Sequence, residues 1–376
     1  MLKKALLGVL LLAVLAGSSL ATFYGLRYWK SPTPVTPQFD GQAFFMSSGQ
    51  LNESNVQGNN DQLQIVLHHV PDPASGQNYY AWLLSDTNQN PSTANLLGAL
   101  SVKHGEVQFQ YYGTPQHANL IAITSRLLIT EEKANSTPVR PTSDRSRWLS
   151  YAELPQGTAG QGMQQPRALD CLRALLYEEQ SLNTLSIHGG LNIQLIKNTA
   201  KILEWIYSAR ENSDPFFRHR QLVRTLDYLD GATMVQLDVP GMPLTIQQVP
   251  LIERMPNQTQ ASYLDLIDAQ LAHLLAAPGV TPAKRALALQ VKQALSGNIQ
   301  SLFVLVREAA KTLVAMPEDL LLQPAAQALL DNMVALSNAI FVGHLDPATN
   351  ELQPGIVQIF YDVQRLASYD LQPLSS

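Results

Sequence analysis

Three hydrophobic patterns follow one another along this chain. From Ala5 to Leu26 apolar residues run almost without a break, relieved only by Gly8, Gly17, Ser18, Ser19, Thr22 and Gly25. Between Gln62 and Leu154 apolar and polar positions alternate in short stretches, and from residue 167 onward apolar residues recur every three or four positions. A run of about 20 apolar residues can cross a hydrocarbon core, alternation marks half-buried strands, and the three-to-four spacing marks amphipathic helices. The pattern predicts a multidomain α+β chain: an N-terminal membrane helix, a small antiparallel β-sandwich and an all-α helical bundle. The expected divisions are a signal anchor over 1–30, a linker over 31–60, the sandwich over 61–155, a second linker over 156–166 and the bundle over 167–376.

The flanks of the first run refine this. Lys3 and Lys4 precede it, and Phe23, Tyr24, Tyr28 and Trp29 close it, interleaved with Arg27 and Lys30. Aromatic and basic residues suit a membrane interface, which favours an uncleaved single-pass anchor through residues 5–26 with the bulk of the chain outside the cytoplasm. Ser19-Leu20-Ala21 resembles a small-x-small processing site, and cleavage there would make the protein secreted. The single cysteine, Cys171, excludes an intrachain disulfide, as in many bacterial exported proteins, and reads as a small buried residue on a helix over Ala168–Tyr177.

Within the alternating region, Leu63–Leu67, Tyr79–Ser85, Leu96–Val102, Val107–Tyr112 and Leu120–Thr130 read as strands. Lys103–Glu106 reads as a hairpin turn between two of them, and Trp148–Leu154 as an edge strand or a segment draped across the sandwich. Pro32, Pro34, Pro37 and the polar stretch Ser47–Asn60 read as a linker, and Gly157–Gln165 as a domain boundary. Residues 166–376 read almost wholly as helix, with Asp214-Pro215 and Thr281-Pro282 as cap-plus-proline starts. The long proline-punctuated segment Ala232–Met255 is expected to pack over a helical groove or pair with itself.

The run Leu67…Pro71-Asp72-Pro73…Gly76…Tyr80-Ala81-Trp82-Leu83-Leu84, followed by Leu97-Gly98-Ala99-Leu100, Leu120–Thr124 and the proline-bearing tail Thr137–Thr142, resembles the extracytoplasmic C-terminal domain of anti-sigma-K-type factors. The resemblance covers residues 62–143 and implies a membrane-proximal sensor or docking module in envelope signalling. Family members usually carry a cytoplasmic anti-sigma domain before the membrane span, often with a zinc motif. Four residues precede the apolar run here and no Cys-x-x-Cys occurs, so direct sigma-factor binding is not expected.

Candidate chemistry is sparse. Charged residues make up 15% and the formal net charge is −5, which gives no support to nucleic-acid binding. His68 and His69 are adjacent and on a strand would face opposite ways; His104, His117, His188, His219, His273 and His344 lack partners at metal-ligand spacing. Glu178-Glu179 and the i, i+3 pair Asp265 and Asp268 read as solvated faces. No Gly-x-Ser-x-Gly, phosphate-loop or dinucleotide motif occurs. The sequence therefore nominates no catalytic, cofactor-binding or metal-ligating residue. Its candidate ligand or partner contacts are His188, whose following glycines open the backbone, and Arg218, Arg220 and Arg224, a basic cluster suited to anionic headgroups or an acidic partner. The expectation is a membrane-anchored, non-enzymatic sensor or docking protein with a cell-envelope partner. The alternatives are a ligand-binding protein or enzyme with its site in the helical half, near His188 or under Ala232–Met255, and an envelope scaffold.

Overall fold

The computed structural model describes residues 39–49, 57–88, 93–156, 167–232, 234–235, 249–252 and 261–374. The expected anchor, the boundary at Gly157–Gln165 and most of Ala232–Met255 lie outside the described residues.

The chain is a mixed α+β protein with antiparallel sheets. Strands β1 (Asp40–Met46), β2 (Gln62–His68), β3 (Gln77–Leu84), β4 (Ala94–Leu100), β5 (Val107–Tyr111), β6 (Arg126–Lys133), β7 (Trp148–Glu153) and the late β10 (Tyr369–Leu371) form two four-stranded sheets, in the orders β10-β1-β2-β5 and β4-β3-β6-β7. Strand β2 shows why alternation was readable: Leu63, Ile65 and Leu67 are fully buried, while Gln62, Gln64, Val66 and His68 on its other face are half-buried. Strand β3 is buried on both faces. Tyr79, Ala81 and Leu83 join the main core, whereas Tyr80, Trp82 and Leu84 form a second cluster with Leu128 on the far side of the sheet. The sheets meet along one edge, where Ser150 and Pro373 pair and Ser150 Oγ donates to the Gln372 carbonyl at 2.8 Å.

Several expectations are corrected. The stretch 31–60 contains β1, paired with β2 from Asp40↔His68 to Met46↔Gln62. Ala43 and Phe45 supply its inward face, and a Cβ on Gly41 would sit 2.2 Å from the Val66 carbonyl oxygen, so glycine is required there. Lys103–Glu106 is the expected hairpin turn, with Lys103 and Glu106 bonded to each other in both directions and His104 and Gly105 at φ 55° and 79°, but the strands it joins, β4 and β5, then part into different sheets. Leu120–Ala122 is a short 3-10 turn, not strand: the Asn119 side chain accepts from Ile121 N at 3.0 Å and the Thr124 hydroxyl donates back to the Leu120 carbonyl, so local bonds displace the ladder until Arg126.

The helices are α1 (Ala168–Leu176), α2 (Leu191–Glu211), α3 (Pro215–Asp230), α4 (Tyr263–Ala276), α5 (Pro282–Ala294), α6 (Gln300–Val314), α7 (Pro324–Val342) and α8 (Ile356–Leu366). The starts read from sequence rest on real caps: the Asp214 carboxylate accepts from Phe216 N, the Thr281 hydroxyl from Lys284 N, and Ser262 with Asp265 makes a capping box. Residues 295–299 form a π-helical turn between α5 and α6. The expected all-helical half also contains the hairpin β8 (Gly343–Leu345) with β9 (Leu352–Pro354), and β10, whose three residues are too few to show a period.

Phe39–Ser376 forms one compact unit, and one hydrophobic core runs from both sheets into the helices. The sheets and the helices therefore share this interior. Among the described residues α7 alone has the length and apolarity of a membrane span, and it buries Leu330, Met333 and Ile340 against the other helices.

Candidate functional site

A polar constellation lies where the sheets meet the helices. The last carbonyls of α1 need donors from outside the helix. The Leu176 carbonyl receives two, Asn60 Nδ2 at 2.9 Å and Asn119 Nδ2 at 3.0 Å. From α8, Gln364 Nε2 donates to Asn60 Oδ1 at 3.0 Å and Ser47 Oγ at 2.9 Å. Arg173 of α1 grips both carboxylate oxygens of Asp86, at 2.8 and 2.9 Å, and donates from Nε to the Ile121 carbonyl at 3.0 Å. Burial alone would raise the Asp86 carboxyl, but the Arg173 and Ser125 hydrogen bonds and the charges of Arg173 and Arg126 outweigh it and hold it below the usual range. Nearby, the fully buried Asp61 carboxylate accepts from Ser48 N at 2.8 Å and meets His117 Nδ1 at 2.8 Å. This constellation binds the sheets to the helices.

The residues nominated from sequence are not brought together into one site. His188 is exposed, its Nδ1 3.3 Å from Glu178 Oε1. The glycines after it have a packing cause: a Cβ on Gly190 would lie 2.5 Å from the Leu175 carbonyl oxygen, so α2 begins against the end of α1 only if that residue is glycine. Arg218 is buried, not presented to solvent. Its guanidinium donates to the carbonyls of Asn212, Leu321 and Arg210 and to Gln327 Oε1, tying the end of α2 to the 3-10 turn Glu318–Leu322. Arg220 lies 5.3 Å from the centre of the Phe217 ring, and Arg224 lies 4.9 Å from Trp205. The two are spread along α3 over aromatic surface, and of the cluster Arg220 is the one exposed to solvent.

The other candidates have structural partners. His68 meets Glu106 at 2.5 Å and His69 meets Asp40 at 3.3 Å. His69 lies just beyond the end of β2, at φ 60°, and the two histidines face different carboxylates. The Glu179 carboxylate accepts from Ser181 N and from Gln270 Nε2, and Asp268 pairs with Lys292. Among the described residues, no group of three or more His, Cys, Asp or Glu side chains is placed to hold a metal ion. Cys171 is 2% exposed, and burial pushes its thiol up to about 11. The native protein should therefore react with a thiol-specific aromatic disulfide at least about a hundredfold more slowly than the denatured chain, a ratio read directly from absorbance.

Two accessible features were not nominated from sequence. The segments that Arg218 ties together carry exposed Phe216 on one side and exposed Leu320 and Leu322 on the other. Separately, Glu153, Thr281, Lys284, Ser368 and Asp370 help line a cleft of about 180 Å³. No sequence spacing signals either, since each joins residues more than a hundred positions apart. Comparison of the chain with protein-family models, with curated proteins and with solved structures finds no match in any of the three.

Proposed function

We propose that this chain is a membrane-anchored, extracytoplasmic, non-enzymatic docking protein whose helical half presents the partner surface. The observation that carries the reading is the Phe216, Leu320 and Leu322 surface. Three large apolar side chains stand exposed on segments that Arg218 locks from inside. Exposed apolar groups held on a rigid base, with exposed Arg220 on the same helix as Phe216, suit an envelope protein that offers an apolar patch with an acidic rim. The apolar run Ala5–Leu26 supports attachment to the membrane, and the likeness of residues 62–143 to the outer domain of anti-sigma-K-type factors supports a signalling role exercised through another polypeptide.

The test places a photo-crosslinking amino acid at Phe216 or Leu322 in the full chain, with a C-terminal tag, in intact cells. The expected result is membrane retention, digestion of the tag by protease applied from outside the cytoplasm, and a discrete adduct with an envelope protein at both positions. A protected tag, or no adduct at either position, overturns the proposal.

A further inference from the structure

We infer that the cleft between β7, β10 and the start of α5 binds a small amino-acid-like zwitterion. The inference does not depend on the docking surface or on the membrane anchor. Three segments distant in sequence, 152–155, 279–284 and 368–370, converge on this cavity of about 180 Å³. Sites for drug-sized ligands run to roughly 300–1,000 Å³, so the occupant is small.

The lining specifies its chemistry. The Lys284 ammonium donates to the Ser368 carbonyl, which uses one of its three N–H donors. Burial pulls its pKa below the usual lysine value, against the opposing charge of Asp370, and the half-buried side chain lines the cleft. An incoming carboxylate gains most at such an ammonium. Two carboxylate residues, Glu153 and Asp370, line the same cleft, and the charge of Asp370 acts on Lys284. Glu153 accepts from the Tyr151 hydroxyl at 2.8 Å and Asp370 from Gln42 Nε2 at 3.2 Å. Each carboxylate has about four acceptor positions and keeps most of them. A simple anion entering the cleft faces two like charges, and a simple cation faces Lys284. A molecule carrying an ammonium and a carboxylate a few ångströms apart pairs with both.

The test is calorimetric titration of the full chain with L-alanine, with propionate, which lacks only the ammonium, and with ethylammonium, which lacks only the carboxylate. Glu153→Gln and Asp370→Asn serve as variants; both residues are exposed, so the fold is retained, and a melting curve checks it. The expected result is saturable L-alanine binding at least tenfold tighter than either half-ligand and at least tenfold weaker in each variant. Absence of saturable L-alanine binding overturns the inference. So does ethylammonium binding as tightly as L-alanine, which describes only an acidic surface, or L-alanine binding unchanged in both variants.

Discussion

Replacing Arg173 with methionine is expected to lower the free energy of unfolding by about 3–5 kcal/mol, read from urea titration. The volume and aliphatic stem are largely kept, so packing is not the main loss. What goes is the bidentate grip on Asp86 and the bond to the Ile121 carbonyl. Asp86 is only 8% exposed, and an uncompensated carboxylate there costs far more than a surface ion pair contributes. The double variant Asp86→Leu, Arg173→Met should recover most of the deficit, because the stranded charge is gone. A double variant no more stable than Arg173→Met would mean that the pair acts through something other than charge compensation.

The acid limb gives the same pair a second, independent signature. With Arg173 present, the folded-state pKa of Asp86 lies below its unfolded value of about 3.9. The stabilisation is complete above that value and is lost as pH falls through the lower folded pKa. Without Arg173 its hydrogen bonds and charge are removed, leaving Ser125 and the charge of Arg126 to oppose burial, which raises the pKa and persists. The variant should then gain stability relative to wild type on acidification, and the gap between the two should narrow below about pH 4. A gap that stays constant from neutral to acid pH would assign the loss to packing.

How much of this was legible in the sequence depended on the range of the interactions involved. Leu63, Ile65 and Leu67 announce β2 because their period is local, and Asp214-Pro215 announces α3 because its cap lies within three residues. Strand β1 was hidden among polar neighbours; its inward pair, Ala43 and Phe45, is too short a signal without β2 and β10 on either side. The role of Arg218 was illegible for a different reason. A run of basic residues on a helix looks like a charged surface until the carbonyl of Leu321, a hundred residues away, is seen to need a donor. The junction of sheets and helices is of the same kind: Asn60 and Gln364 are 304 positions apart, so no spacing rule connects them.

Trp82→Ala should cost about 3–5 kcal/mol, comparable to loss of the ion pair but by a different route. Trp82 is fully buried on the far face of β3, in the small cluster with Tyr80, Leu84 and Leu128, and this cluster is separate from the main core. With few neighbours available to collapse, the space left by the indole stays largely unfilled, and the cost grows with residual cavity volume. The indole Nε1 also donates to the buried Thr130 hydroxyl at 2.9 Å. Trp82→Phe should therefore cost about 1–3 kcal/mol, much of it from the stranded hydroxyl, and adding Thr130→Val should return part of that loss. The series distinguishes a packing residue from a ligand-stacking one. A packing residue shows the graded stability order wild type, Phe with Val, Phe, Ala, with photo-crosslinking at Phe216 retained in the Phe variants. A Trp82→Ala protein as stable as wild type would mean that the far-face cluster contributes little to the fold's stability.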